Sequence, residues 1–287
     1  MNRIPALYAA LLQSIQEVPP EYSLPLTIAG KLAGFITPQA LKAIGHLPQV
    51  RTTETAVHFA DPGTPRFELE PLLADIAIIL RDAGLLKTWR DELLTVYAEG
   101  DDLAKMERAA MRPLGLLTHA VHLNAWTPDL QLYIAKRAMT KASDPGMWDT
   151  LAGGLANGSE DLEHALLRET FEEAGLQENV LTCRTPLRTL LRMHRRLPEG
   201  YQVEDILVSD CILPPHATPR NMDGEVSEIR IVSQQQAVQM IADRQITLEA
   251  ALVILEGMLS RTSETLLARF RAQPQNQGEP HDKQQPV

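Results

Sequence analysis

Leu7, Leu11 and Ile15 recur at every fourth position and stop before Pro19-Pro20, which predicts a first amphipathic helix with one buried stripe. Residues 38–44 predict a second, short helix with Pro38 in its first turn, where a missing N–H costs nothing. Within 70–96, Leu72, Leu73, Ile76, Ile79 and Leu80 keep the helical period; Gly84 ends that helix, and a new element begins around Trp89-Arg90-Asp91-Glu92-Leu93. Residues 106–112 predict one more helix, closed by Pro113 and Gly115. The period then changes. Residues 117–126 and 130–138 are apolar and β-compatible on either side of Thr127-Pro128-Asp129, the pattern of a hairpin. A helix is expected over 161–174, strands over 203–213 and 226–232, and helical periodicity over 248–270. Strands and helices mixed in this order imply an α/β layered domain. The expected division is a smaller helical or α+β N-terminal domain over 1–115, the α/β domain over 116–272, and a disordered tail over 273–287, which is rich in Gln, Pro and Gly. No solenoid-type repeat is visible.

Composition narrows the function classes. At 44% hydrophobic and 22% charged residues, the 287-residue chain has the make-up of a globular protein, and no apolar run approaches the roughly 20 residues of a membrane helix. The apolar stretch 6–12 lacks a basic n-region beyond Arg3 and a small-residue cleavage site, so it reads as the first helix and not as a leader. Cys183 and Cys211 are the two cysteines, too few for a disulfide scaffold and not spaced as Cys-x-x-Cys; a reducing, cytoplasmic setting is expected. A formal net charge of -10 disfavours nucleic acid and anionic membranes as partners. It leaves room for a small anionic ligand held through a metal, because a local cation overrides a global field.

Chemistry concentrates in Gly153-Gly154-Leu155-Ala156-Asn157-Gly158-Ser159-Glu160 and in Arg168-Glu169-Thr170-Phe171-Glu172-Glu173-Ala174-Gly175-Leu176. On a helix, Glu169, Glu172 and Glu173 share one face, while Leu167, Phe171 and Ala174 form an apolar face that could pack on a sheet. Three carboxylates so close repel one another and call for a cation, and hard oxygen ligands select Mg²⁺, Mn²⁺ or Ca²⁺. Arg168 adds a fixed charge able to orient a carboxylate. Glu-x-x-Glu-Glu alone is usually a solvated helix face.

The whole segment, however, resembles the Nudix box, Gly-x5-Glu-x7-Arg-Glu-U-x-Glu-Glu-x-Gly-U, with Gly154, Glu160, Arg168, Glu169, Glu172, Glu173, Gly175 and Leu176 in register and Thr170 where an aliphatic residue is usual. A chance match of its fixed residue types is on the order of 10⁻⁶ at typical residue usage, which decides against a merely solvated face. Further segments, among them Trp89-Arg90-Asp91-Glu92, Glu107-Arg108-Ala109-Ala110, Val121-His122-Leu123-Asn124, Asp144-Pro145-Gly146-Met147-Trp148-Asp149 and Asp223-Gly224-Glu225-Val226, look like the Nudix subfamily related to the Nudix part of thiamine pyrophosphokinase fusions. Ala125 departs from the glycine expected after Asn124.

That resemblance implies a Nudix α/β/α sandwich with a mixed sheet, and hydrolysis of thiamine diphosphate or its oxo- and oxy- analogues to the monophosphate. The alternatives are a nucleoside or sugar diphosphate such as ADP-ribose, or a ligand sensor without turnover. The implied cofactor is Mg²⁺, with Mn²⁺ as a substitute. Glu169, Glu173 and the Gly153 carbonyl would hold the metal, Glu172 would complete the cluster or take a proton, and Glu225 would add a distal ligand or base. Glu160 and Arg168 form the orienting shell. Arg137 and Lys141 are candidate phosphate cations, a solvated strand edge being the competing reading; Trp126, Trp148 and His122 are candidate stacking groups, core packing being theirs. The basic run 192–196 reads as a solvated hairpin end. The partner expected is a small-molecule diphosphate, and a homodimer is compatible with the sequence.

Overall fold

A computed structural model describes residues 3–272; the tail over 273–287 lies outside the described residues. After helix α1 (Arg3–Ser14), the chain builds a small α+β unit. Strands β1 (Leu24–Ile28), β2 (Lys31–Ile36), β3 (Val50–Thr52) and β4 (Val57–Phe59) form a four-stranded sheet in the order β2-β1-β4-β3, in which β1 and β4 run parallel and the other pairs antiparallel. Helix α2 (Pro38–Ile44) is capped by the Thr37 hydroxyl, which accepts from the Ala40 N–H; α3 (Arg66–Asp82) lays Leu69, Leu73, Ile76 and Leu80 against Leu26, Ile28 and Phe59. The hairpin β5 (Leu93–Ala98) and β6 (Asp101–Glu107) closes this core with Val96 and Met106.

Helices and connectors are therefore not the whole content of the first hundred residues, where short strands and helices together make an α+β unit. Leu24, Leu26 and Ile28 alternate as a strand should, but Pro25 and strand lengths of three to six residues leave too short a window for the period to show. The helix expected over 106–112 is the end of β6 followed by a single 3₁₀ turn, Arg108–Ala110, because the Glu107 carboxylate caps Ala109 and Pro113 forbids extension. The helical pattern of 70–96 stops at Asp82.

The second unit is a mixed sheet between helices. It contains β7 (Leu117–Trp126), β8 (Leu132–Arg137), β9 (Trp148–Asp149), β10 (Ala152–Leu155), α4 (Leu162–Ala174), β11 (Arg188–Leu197), β12 (Gly200–Ile212), β13 (Val226–Val232), α5 (Gln234–Ala242), α6 (Leu248–Leu259) and α7 (Thr262–Ala272). The order is β11-β12-β7-β8-β13, with β10 on β7 and β9 on β8; β7 and β12 run parallel and the remaining pairs antiparallel. Side chains alternate across β12: Leu207 and Cys211 pack toward α4, whereas Ile206, Val208 and Ile212 pack toward α6. This is an α/β/α arrangement, as expected, and the helical run over 248–270 is split at Ser260-Arg261, where Arg261 takes φ 54°.

Helix α1 does not belong with the unit that follows it. Its Ile4, Leu7, Tyr8 and Leu11 pack on α6 and its surroundings, and the Ile15 carbonyl accepts from the His194 N–H of β11 at 2.7 Å. Helix α1 thus packs with the second core, while residues 24–116 surround the first. No described helix is long and apolar enough to cross a membrane. Cys183 and Cys211 are buried and unbridged.

Candidate active site

Helix α4 is fixed in register at both ends. Asp161 caps its start by accepting from the His164 N–H at 2.8 Å, and Gly175, at φ +64°, ends it by donating to the Phe171 carbonyl at 2.8 Å. The face turned to the sheet consists of Ala165, Leu166, Thr170 and Ala174, together with Glu169 and Glu173. Phe171 is 45% exposed, so the apolar face expected from Leu167, Phe171 and Ala174 is displaced by about one residue. The displacement has a physical cause: two of the three carboxylates lie inside, and the helix turns to bring them against β10.

Glu173 is 5% exposed, accepts from the Gly153 N–H at 2.9 Å and lies 3.4 Å from the Lys141 ammonium. Burial pushes its carboxyl up to about 7, with Lys141 and the Gly153 N–H opposing and Glu169 and Asp149 adding to the rise. Burial also raises Glu169, against the pull of Arg168 at 2.8 Å. Glu172 faces outward and meets the same guanidinium at 3.0 Å. Arg168 further donates to Glu160, at 2.7 Å in its shortest bond, and to the Leu155 carbonyl at 3.3 Å. Glu160 is desolvated too, but the bonds from Arg168 and Asn157 prevail and hold its carboxyl below the usual range. One arginine thus ties three glutamates and a strand end together.

The glycines of β10 are required by close approach. A methyl group on Gly154 would lie 2.3 Å from the Glu169 carboxyl carbon, and one on Gly153 would lie 2.8 Å from His122 Nδ1. Gly154→Ala should therefore push Glu169 out of place and cut turnover sharply with little loss of overall fold; near-normal kcat/KM in that variant would show that the Glu169 position is not needed.

Gly153, Gly154 and Glu169 line a cavity of about 220 Å³ between the two units. Arg137, Lys141, Glu169 and Glu225 form its walls, and Arg90, Arg108 and Arg112 of the first unit reach its mouth. Arg137 donates to Asp149 at 2.9 Å and to the Ser143 carbonyl; Lys141 bridges Glu173 and Glu225; Glu225 sits in a turn tied by the Asp223 carboxylate. Burial lowers the pKa of His122, whose Nδ1 is 3.0 Å from the Thr150 hydroxyl.

Sequence reasoning brought together Glu169, Glu172, Glu173, Gly153, Arg137, Lys141 and Glu225, and the structure gathers all seven at this edge. It misplaced both tryptophans. Trp126 is fully enclosed between sheet and α6; Trp148 packs with Ile246 and carries Lys136 and Arg230 over its ring. Neither lines the cavity, where among the described residues the one aromatic ring is the His122 imidazole. The run 192–196 is part of β11, with Arg192 on Asp205 at 2.7 Å and Arg195 near Glu249, so it is a paired strand leading into the turn. Gln202, Glu204 and Glu249 also line the cavity and are absent from the sequence reading, although a carboxylate inside the otherwise apolar run 203–213 is a signal that singles out Glu204.

No three carboxylate or imidazole groups among the described residues converge as a closed metal site. The donor set nonetheless fits a hard divalent cation: two carboxylates one turn apart, with proton affinities raised by burial and, among the described residues, Lys141 and Arg168 as their paired cations.

Layering and site define a mixed α/β domain with a carboxylate-bearing helix locked against a glycine strand. Residues 118–251 match the model of the NUDIX domain. The chain is 31% identical over 176 residues to Nudix hydrolase 20, chloroplastic, of Arabidopsis thaliana, covering 59% of this chain and 46% of that one. To Nudix hydrolase 24, chloroplastic, of the same plant it is 32% identical, covering 59% and 47%. The chain thus spans about half the length of the curated relatives it matches. Among solved structures, DR0079 from Deinococcus radiodurans is similar with TM-score 0.46 and 19% identity, covering 58% of this chain and 98% of that one.

Proposed function

We propose that the chain is a metal-dependent diphosphate hydrolase that takes thiamine diphosphate, or its oxo- and oxy- analogues, to the monophosphate plus phosphate. The observation that carries the hydrolase reading is the buried pair Glu169 and Glu173: Glu169 lines the cavity with the cations Arg137 and Lys141, and Glu173 lies behind it, paired with Lys141. The substrate class is supported by the resemblance of segments outside the box. Glu169, Glu173 and the Gly153 carbonyl would hold Mg²⁺ or Mn²⁺. The chemistry such a cation supplies is charge neutralisation on the diphosphate and a lowered water pKa.

The chain's own groups do the rest. Arg137 and Lys141 clamp the phosphates, Lys141 exchanging its carboxylate partners for phosphate oxygens. Arg168 holds Glu172 through Oε2, which leaves Oε1 to take the proton of the attacking water. Glu225, at the cavity wall, is the distal acidic group and steers Lys141. A cytoplasmic setting accords with two unbridged thiols.

Product formation with Mg²⁺ over a panel of thiamine diphosphate, its oxidised analogues, ADP-ribose and a nucleoside triphosphate, read by chromatography of the monophosphates, tests the reading. Turnover should be abolished by excess chelator, and hydrolysis in ¹⁸O-labelled water should yield the monophosphate plus phosphate. Full activity in chelator overturns the metal-dependent mechanism. A markedly higher kcat/KM for ADP-ribose or the triphosphate than for every thiamine-type diphosphate overturns the substrate and leaves the hydrolase. Binding without turnover of any panel member marks a sensor.

A further inference from the structure

The cavity has a second pole, away from the box helix. On the α6-facing side of the sheet, β12 presents Gln202 and Glu204, and the first turn of α6 presents Glu249. The Glu204 carboxylate accepts from the Thr118 hydroxyl at 2.8 Å and from Gln202 Nε2 at 2.9 Å, and it forms no ion pair among the described residues. Glu249 has only Arg195, at 3.4 Å. Each carboxylate keeps spare acceptor capacity.

Gln202 makes the pocket more than an acidic cluster. It is 3% exposed and lines the cavity, yet its Oε1 is buried with no hydrogen-bond partner. Its orientation is fixed, because rotating the amide would put Oε1 against the Glu204 carboxylate and turn a donor–acceptor contact into a repulsion. A buried carbonyl without a donor is costly to a folded protein and persists where something else supplies the donor. The cavity thus sets Arg137 and Lys141 at the diphosphate end and, at the other, two carboxylates with spare acceptor capacity and one carbonyl without a donor, with Arg90, Arg108 and Arg112 at the mouth.

We infer that Gln202, Glu204 and Glu249 form the specificity floor for the organic end of the substrate, recognising N–H donors or positive charge on a nitrogen heterocycle. This deepens the diphosphate hydrolase reading and rests on it for the placement of the phosphates. The floor holds the organic group by hydrogen bonding to its edge, a role that neither tryptophan can take. A diphosphate ester with a purely hydrocarbon tail would leave Gln202 Oε1 unpaired and displace water from two carboxylates, so it is selected against.

The test measures binding by calorimetry in excess chelator, so that it does not depend on turnover. The probes are thiamine diphosphate and ADP-ribose, which carry N–H donors, and isopentenyl diphosphate, which carries none. At least one donor-bearing probe should bind the wild-type chain on the order of tenfold more tightly than isopentenyl diphosphate, the worth of one good buried hydrogen bond. Glu204→Gln and the near-isosteric Gln202→Met should remove that margin while leaving isopentenyl diphosphate binding within about twofold, the baseline set by the phosphate clamp. Circular dichroism and thermal unfolding confirm that both variants fold; should one fail, the other carries the test. A wild-type preference that survives in the folded variants, no preference at all, or equal losses for all probes overturns the assignment. A margin of the expected kind without turnover leaves the floor standing and removes the hydrolase.

Discussion

Glu173→Gln should lower kcat/KM on the order of 10²-fold while the chain still folds, because it replaces a desolvated anionic ligand with a neutral amide of the same shape. The amide oxygen can still accept from the Gly153 N–H, so the local backbone has no reason to move. The stability readout separates this from a packing effect. Glu173 carries its proton up to about 7 in the folded chain, against an ordinary 4.5. Between those values the folded state binds a proton that the unfolded chain releases, so wild-type stability is fully present below the lower value and falls as pH rises through the upper one. The variant loses this contribution to the slope. Glu249 is pushed to the same value by burial and by Glu204, and keeps its own share, so the fall in Tm between pH 5 and pH 8 in chelator should be reduced and not abolished. Wild-type turnover in the variant, or an unchanged pH slope, would sink the assignment.

Arg168→Lys keeps the charge and should still cost about 10- to 100-fold in activity, the usual effect of disturbing groups that orient metal ligands. A planar fork reaches Glu160, Glu169, Glu172 and the Leu155 carbonyl at once; an ammonium cannot span them. The guanidinium is 30% exposed, so the stability loss should be modest, about 1–2 kcal/mol. Added Mg²⁺ should restore part of the activity, because the fault lies in how well Glu169 is held. Activity equal to wild type at low Mg²⁺ would reduce Arg168 to a surface ion pair.

How much of this was legible in the sequence depended on window length. The spacing from Gly154 through Glu173 to Leu176 marked the box, and the strands 117–126 and 226–232 showed because each is long enough to display its period. The N-terminal sheet did not, since Val50–Thr52 and Val57–Phe59 are three residues each and depend on neighbours remote in sequence. Which carboxylates lie inside was also hidden: helical spacing places Glu169, Glu172 and Glu173 on one face but cannot say that β10 lacks side chains at Gly153 and Gly154 to receive two of them. Trp126 and Trp148 read equally well as core or as ligand platform until the packing of α6 and Ile246 decided it.

The seat of α1 has a bearing on the order in which the chain can fold. Its first dozen residues leave the ribosome early, yet the α6 face and the β11 edge that receive them are made more than 170 residues later. Until then Leu7, Tyr8 and Leu11 have no apolar surface of their own to cover, and the intervening α+β unit can close around its separate core. Docking of α1 is thereby deferred until β11 and α6 have been made, and a segment synthesised before them becomes a late-closing clasp. Because that clasp closes on the second core, heat or denaturant should release α1 in the same transition as that core.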